Sequence, residues 1–510
     1  MPAENPLPPD SPTLSRRNVL RAGTVAAAAG AAVTLDPLGF ASADPGDSET
    51  QEITGRFDVG APDWVYVPVE VPAGVSEIAV TYTYDKPDAP PGRPGNALDI
   101  GVFDHNGHDL GDKRGFRGWS GGFRDAFSIS ASEATPGYIP GVVSEGTWHV
   151  ILGPYTVHPD GLNWTVKVTL TYGEPGEAFE PHPAPEQAEG RGRDWYRGDM
   201  HLHTVHSDGR WLPEELAAAA RDAGLDFIVS TEHNTSSASG VWGLHASDDL
   251  LVVDGEEITT RNGHFVAAGL SPGNWIDWRY RSADGEIKNF LRDIHRDDAV
   301  AVAAHPYCPF VGCRWKFGYD DFDAVEVWNG PWTPDDEIAL QHWDSMLVEN
   351  AKKDKPWLPA VGNSDSHHDG QTVGLPQTAV LADDLSRASV LDAVVAGRAY
   401  VAESAEVSLE FTAAAGEETV GVGERLGDAG PEDEVEVRLA VAGASGATAY
   451  LHTDQGMVFE QALPADGVIA WTTRPQVATY VRAEVRRAPD NPVLPGPMVA
   501  FTNPIFLGDR

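Results

Sequence analysis

Residues Tyr196–Gly209 read YRGDMHLHTVHSDG, and this stretch decides how the rest of the chain is read. An extended strand has a side-chain period of two, so His201 and His203 project from one face on either side of Leu202. Two neutral imidazoles on one face are half of a metal site. Outward from them, further histidines and carboxylates close short apolar runs: TEHN at His233, GEEIT at Glu257, NGHF at His264, AAHP at His305, and NSDSHH at Asp365 and His367. A lone His-x-His pair carries little information; the ordered set carries much more.

From Asp194 the chain alternates short apolar runs with helical stretches. WYRGDMHLH, LDFIVSTEH, LLVVDGEEI, AVAVAAHP, AVEVWNG and WLPAVGNSDSH predict strands, whereas PEELAAAARDAG and EIKNFLRDIHRD predict helices. Residues 386–402, SRASVLDAVVAGRAYVA, predict a closing helix and strand. Such alternation implies a parallel sheet or barrel, in which reactive groups gather at the carboxyl ends of strands. Every candidate named above sits at such an end or in the loop after it.

The flanks read differently. DWVYVPVEV, EIAVTYTY, ALDIGVF, TWHVILG and NWTVKVTLTY, separated by Pro and Gly turns, predict an N-terminal β-sandwich over residues 44–175. Residues 176–193 are rich in Pro and Glu without periodicity and read as a linker or strap. After the α/β segment at 194–402, residues 403–510 return to a β pattern, with EVEVRLAVAG, ATAYLHTD and YVRAEVRRA, and predict a C-terminal β-rich domain. The whole is expected to be multidomain, α/β plus β, as suits 510 residues.

Residues 1–43 read as an address. Ser15-Arg16-Arg17-Asn18-Val19-Leu20 has the form of a twin-arginine signal, followed by an Ala-rich run from Ala22 to Leu35 and an A-x-A site at Ala41, Ser42 and Ala43. The expectation is export by the twin-arginine route, to the exterior or the cell envelope, with no transmembrane span once the signal is removed; the apolar run is too short for one. The formal charge of −41 opposes a nucleic-acid polymer as partner, because such binding depends on Lys and Arg neutralising phosphates. A small anionic substrate stays allowed where bound cations reverse the local field. Oligomeric state is not legible. Cys308 and Cys313 flank a short loop after His305, and the order of expectation is disulfide, free thiols, then ligands.

The order HLHTVHSDG, TEHN, GEEIT, GHF, AHP and GNSDSH resembles the PHP family of metal-dependent hydrolases (polymerase and histidinol phosphatase type) over roughly residues 194–402. FRGWSGG and ATPGYIPG before that segment, and GLPQTAV, AGRAYV and FTNPIFL in and after its end, resemble the secreted branch of the family that includes aryl carbamate (carbaryl) hydrolases. One departure is Glu232, where the family more often shows Asp. The resemblance implies a distorted (β/α)7 barrel around two or three divalent metals, here flanked by the N-terminal and C-terminal β-sandwich domains. It also implies an allocation of ligands. His201 and His203 with Glu257 and Asp365 would hold one metal; Glu257 would bridge to a second held by His264 and His305; Asp208, His233 and His367 would take a third.

Chemistry agrees with that allocation. A bridging carboxylate holds two cations about 3.5 to 4 Å apart, close enough to share an activated hydroxide. Mixed imidazole and carboxylate ligands suit Zn, Mn or Fe better than Mg or Ca. Glu256 competes with Glu257 for the bridge, the choice of Glu257 resting on the family pattern. Asp208 could instead cap the following helix through its Ser-Asp-Gly turn. His206, His295 and His368 read as surface histidines. The two cysteines lack a paired catalytic signature, and the expected nucleophile is metal-activated water rather than a side chain. Glu257, with His305 or His233 as proton donor where not ligated, completes the catalytic candidates. Arg261, Arg314 and Lys316 are candidates for an anionic substrate group, with plain surface charge as the alternative.

The expected substrate is a small-molecule ester, phosphoesters being favoured because most relatives cleave them. A carbamate, carboxylic ester or amide is the alternative, and Trp242, Trp275, Trp278, Trp315, Trp328 and Trp332 lean toward an aryl leaving group unless they are barrel packing. A different class of reading is a non-catalytic envelope binding protein with a vestigial centre.

Overall fold

The computed structural model describes residues 45–88, 95–353, 355–489 and 495–509. The expected export signal lies outside them. Among the described residues no helix is long and apolar enough to cross a membrane.

The first strands are β1 (Ser48–Phe57), β2 (Val65–Val71), β3 (Val75–Tyr84), β4 (Ala97–Phe103), β5 (Phe116–Gly121), β6 (Ala126–Ser130), β7 (Gly146–Thr156) and β8 (Leu162–Tyr172). They make two four-stranded sheets, ordered β1-β8-β3-β6 and β2-β7-β4-β5. Alternation explains the layering. In β8, Leu162, Trp164, Val166, Val168, Leu170 and Tyr172 are buried while the residues between them are not. The apolar faces of the two sheets share one core, which takes in Val80 and Val166 from the first sheet and Val69 and Val150 from the second.

The middle of the chain contains β9 (Asp194–Asp199), α1 (Pro213–Asp222), β10 (Phe227–Ser230), β11 (Leu251–Thr260), β12 (Gly263–Ala268), α2 (Ile287–Arg296), β13 (Val300–Ala303), β14 (Ala324–Asn329), α3 (Pro334–Lys353), β15 (Ala360–Asn363), β16 (Gln377–Ala382), α4 (Arg387–Val395) and β17 (Ala399–Ala402). α1 has Pro213 at its first position, Glu214 and Glu215 in its first turn, Arg221 in its last, and a left-handed Gly224 beyond it. These are the start and stop signals that local chemistry favours.

A regular (β/α)7 barrel is met only in part, because the segment is strand-rich. β9, β10 and β11 are mutually parallel, as are β13, β14 and β15, but β12 runs antiparallel to both β11 and β13, and β16 antiparallel to β9. The physical reason at β12 is length: only Arg261 and Asn262 separate it from β11, and a two-residue connection makes a hairpin rather than a crossover. The sheet nonetheless curls on itself. The segment after β9 bridges the segment after β15 at Leu202 and Ser366, and Thr378 in β16 exchanges hydrogen bonds with Gly362 in β15.

The last strands are β18 (Ser408–Ala415), β19 (Glu418–Gly421), β20 (Arg425–Leu426), β21 (Val435–Ala442), β22 (Thr448–Thr453), β23 (Gly456–Ala462), β24 (Val468–Thr473), β25 (Tyr480–Arg486), β26 (Met498–Thr502) and β27 (Ile505–Leu507). These strands make two layers, as a β-sandwich expectation requires, but the layers differ in their connections. One layer, β19-β18-β21-β24, is independent, but the other continues the central sheet through the β17–β26 pairing, so that one fifteen-stranded sheet runs through both regions. The physical reason is that β17 would otherwise present an unpaired edge.

Asn503, fully buried after β26, ties the curl. Its Oδ1 accepts from Ala360 N (2.8 Å), and its Nδ2 donates to Ala360 O and Ala399 O (both 3.0 Å), joining β15 to β17. Asn503→Ala strands these backbone groups out of water. The expected outcome is a loss of about 3 kcal/mol of stability, read as a lower urea midpoint by tryptophan fluorescence; an unchanged midpoint would show that the curl closes without it.

Candidate metal centre

The carboxyl-end rim of the curled sheet collects the candidates. β9 ends at Asp199, so the ladder stops before the two histidines, yet the alternation persists: Leu202 is buried in one core and His201 and His203 are fully buried on the other side. His233 follows β10, Glu257 lies within β11, His305 follows β13, and Asp365 and His367 follow β15. His264 is the second residue of β12, whose antiparallel run brings its start to the same rim.

Glu257 is the hub. Its Oε2 lies 3.2 Å from His201 Nε2, 3.3 Å from His203 Nε2 and 2.8 Å from His233 Nδ1. Its Oε1 lies 2.9 Å from His264 Nδ1 and 3.2 Å from His305 Nε2. One carboxylate thus faces two imidazole groups with its two oxygens. Asp365 Oδ1 is 3.0 Å from His203 Nε2 and 3.5 Å from His201 Nε2. Asp208 Oδ1 is 3.4 Å from His233 Nε2 and 3.3 Å from His367 Nε2. All nine residues expected as ligands are therefore in one cluster.

Glu256 is not part of it. Its Oε2 accepts from Ile276 N at 2.7 Å on the other side of β11, and burial pushes its carboxyl up to about 8. Alternation along the strand separates the two neighbours.

The electrostatics follow from burial and charge together. Burial would raise the Glu257 carboxyl, but His233, His201 and His264 outweigh it and hold it well below the usual range. Burial would lower His233, but Glu257 and Asp208 push it up to about 10; likewise burial opposes, and Asp208 and Asp365 together produce, a rise of His367 to about 9. His203 goes the other way, down to about 4, through burial and the nearby His367 and His233.

Polar atoms point inward without hydrogen bonds. His201 Nε2, His203 Nε2, His264 Nε2, Asp208 Oδ1, Glu257 Oε2 and Asp365 Oδ1 are all buried and lack a hydrogen-bond partner. Leaving such atoms unmet costs roughly 1 to 3 kcal/mol each, more when charged. Their mixed imidazole and carboxylate chemistry, in groups such as His203 with Asp208, His233 and His367, or His201 with His203 and Glu257, fits divalent cations.

A supporting layer was not read from the sequence. Glu326, buried in β14, accepts from His201 Nδ1 (3.2 Å), His305 N (2.8 Å), Asn329 Nδ2 (3.0 Å) and Asn363 Nδ2 (2.9 Å). A carboxylate behind an imidazole fixes its tautomer and aims the other nitrogen. The available signal was a single acid in the apolar run AVEVWN. Glu232 does not stand behind His233; it accepts from Thr204 Oγ1 (2.6 Å) and Ser207 Oγ (2.5 Å), clamping the loop after His203. Gly209 completes that loop, since a Cβ there would lie 2.5 Å from the His203 backbone. His305 (φ 26°) and Asp365 (φ 50°) hold left-handed backbone at the rim, a strain that concentrates at functional sites.

Other expectations are redistributed. Cys308 and Cys313 form a disulfide, with Cys313 Sγ 3.4 Å from His305 Nδ1. His206 is half-buried against Ser237 Oγ, His368 is half-buried, and His295 is exposed. Trp242, Trp275, Trp278 and Trp328 are core packing, and Trp315 and Trp332 are half-buried. The exposed aromatic at the rim is instead Phe123, from the turn after β5, whose ring lies nearly parallel to His233 with centroids 6.4 Å apart. Arg261, Arg314 and Lys316 line one cavity.

No family model matches the chain, and no curated protein matches it. Among solved structures, a two-domain protein from Bacteroides vulgatus, described as containing a predicted PHP-like metal-dependent phosphoesterase, is 18% identical with a TM-score of 0.33, covering 64% of this chain and all of its own. An amidohydrolase from Chromobacterium violaceum with bound sulfate and no metal is 17% identical with a TM-score of 0.26, covering 35% of this chain and 89% of its own. Overlaps of this size leave the functional reading to the side-chain geometry.

The carboxylates around them push His233 up to about 10 and His367 up to about 9 and raise His201 well above its ordinary value, which favours protonated rings in the metal-free protein, whereas ligation requires neutral ones. Adding Zn or Mn to the chelated protein in a weakly buffered indicator solution at pH 8 is expected to release at least about two protons per molecule. Metal uptake without acidification would show that these rings are not ligands.

Proposed function

We propose that this chain is a metal-dependent hydrolase acting on small-molecule esters, with phosphoesters the favoured class. The observation that carries it is the set of inward-pointing, buried and unpartnered nitrogen and oxygen atoms around Glu257. In this reading His201, His203, Glu257 and Asp365 hold one divalent cation, Glu257, His264 and His305 a second, and Asp208, His233 and His367 a third, with Zn, Mn or Fe as the metals. Bound there, such cations supply Lewis acidity and an activated water.

The chain's own residues orient and protect that chemistry. Glu326 aims His201, and its hydrogen bond to His305 N sets the backbone that presents His305. Glu232 keeps the 203–207 loop in place. Both ring nitrogens of His233 face carboxylates, Glu257 on one side and Asp208 on the other, which favours ligation over proton donation for that ring. His305 Nε2 faces Glu257, so the same preference holds there.

A second reading, hydrolysis of a carbamate, carboxylic ester or amide, is favoured by Phe123, an exposed aryl surface beside His233. Export by the twin-arginine route belongs to the same proposal, and the Cys308–Cys313 disulfide is compatible with an oxidising compartment. The proposed units are residues 44–175, 194–402 and 403–510, joined by the strap at 176–193.

The test is a panel of aryl phosphate, phosphodiester, carbamate and carboxylic ester substrates with metal-loaded and chelated protein. Chelation is expected to abolish turnover, and Mn or Zn to restore it. Metal-replete protein that cleaves none of the four would be better described as a binding protein.

Glu257→Gln is expected to remove metal and lower turnover by several orders of magnitude, consistent with several kcal/mol of lost transition-state stabilisation. Glu256→Gln should change turnover by about twofold at most near pH 7, since burial already keeps that carboxyl largely protonated there. Metal content by atomic emission and initial rates on the best substrate check both; equal losses from the two variants would reverse their assignment.

A further inference from the structure

The Arg261-Asn262 turn between β11 and β12 and the loop closed by the Cys308–Cys313 disulfide wall a cavity of about 280 Å³ whose charged lining is Arg261, Arg314 and Lys316. In a chain of formal charge −41, three cations gathered on one hollow run against the electrostatic background. Local structure explains the convergence. Lys316 N donates to Asn262 O at 2.9 Å, laying this segment beside the turn. Arg314 and Lys316, two residues apart, are exposed, whereas Trp315 between them packs on Phe317 and Phe322. Among the described residues neither cation forms a salt bridge or side-chain hydrogen bond.

Arg261 is the inner wall. Its side chain is only 12% exposed, and its guanidinium lies 4.7 Å from the Trp64 ring and 4.2 Å from the Tyr155 ring. Asp99 Oδ2 stands 3.4 Å from Nη1, yet Nε, Nη1 and Nη2 all lack a hydrogen-bond partner. Asp99 is the one carboxylate paired with Arg261, and no salt bridge engages Arg314 or Lys316 among the described residues. A guanidinium offers five donors in a planar fork suited to an oxyanion. Burying that fork unmet is costly, and a bound oxyanion would offset the cost through charge-assisted hydrogen bonds. Tyr155 OH also donates to Val311 O at 2.8 Å, tying the disulfide loop to the end of β7 and making the walls a built structure.

The segments that line the cavity run on into the imidazole cluster. Gly312 lines it, and the next residue, Cys313, touches His305 Nδ1; His264 follows Arg261 by three residues. We propose that this cavity is an oxyanion-binding subsite, and that the substrate carries a carboxylate, sulfate or phosphate group remote from the bond that is cleaved. Its assignment to substrate rests on the hydrolase reading; anion binding itself does not.

Calorimetric titration of the full-length, metal-loaded protein with sodium sulfate at constant ionic strength tests the binding. Saturable binding is expected, at least roughly tenfold weaker in Arg314→Ala/Lys316→Ala. Asp99→Asn should bind sulfate several-fold more tightly, since it removes the competing carboxylate. Wild-type protein that does not bind, or a double variant that binds as tightly as wild type, overturns the subsite. A kinetic arm compares two aryl phosphates that differ only in a para-carboxylate. The double variant should raise KM for the carboxylated ester roughly tenfold more than for its partner; equal changes overturn the assignment to substrate. Loss of sulfate binding in the double variant, with no ester cleaved by wild type, would leave the anion site standing and remove the hydrolase reading.

Discussion

A buried carboxylate surrounded by imidazoles is the constraint on which this protein turns. Glu257 is 1% exposed and has five histidine rings within 3.3 Å of its two oxygens. Removing so many ionisable groups from water costs several kcal/mol per ion unless geometry and hydrogen bonding compensate. The surrounding chain is arranged to compensate. Glu326 receives four donors while it backs His201, and Glu232 receives the Thr204 and Ser207 hydroxyls, so the outer atoms are satisfied and only the inner ones are left for a ligand.

The scaffold meets a second demand, that residues spread from His201 to His367 share one rim. Parallel strands put their carboxyl ends together, and the β11–β12 hairpin returns His264 to the same edge. The flanking regions take part in this. Asn503 ties β15 to β17 from the far end of the chain. From the other end, Arg124 donates to Val205 O, Gly137 O accepts from Thr235 Oγ1, and Phe123 overhangs His233. The N-terminal sheets reach the centre directly, whereas the C-terminal strands brace the sheet that carries it.

Legibility in the sequence followed local chemistry. α1 was readable because Pro213, the two glutamates and Gly224 are signals that act within a turn of helix. α3, twenty residues long, was not, because two positions of its buried stripe are Asp336 and Asn350, which break the apolar pattern beside Ala339, Leu340, Trp343 and Leu347. The ligand candidates were readable because each ends an apolar run. Glu326 was hidden because an acid inside a strand ordinarily marks the solvent face, and nothing local shows that both faces of β14 are covered. The tryptophans misled in the same way: their number was visible, but their burial depends on partners such as Phe116 and Trp119 from the N-terminal sheets.

The sequence by itself determined the order of the candidate ligand residues, the strand and helix alternation that places them, and the acidic charge that disfavours a nucleic-acid partner, because composition and period act through nearest neighbours along the chain. The tertiary structure alone decided that Glu257 rather than Glu256 faces the cluster, that Glu326 supports it, that Arg261, Arg314 and Lys316 line one hollow, and that the C-terminal strands extend the central sheet. Each of these depends on which surfaces meet across roughly fifty or more residues of chain or on which side of a strand is buried, and burial is a property of the packed molecule, not of any segment of it.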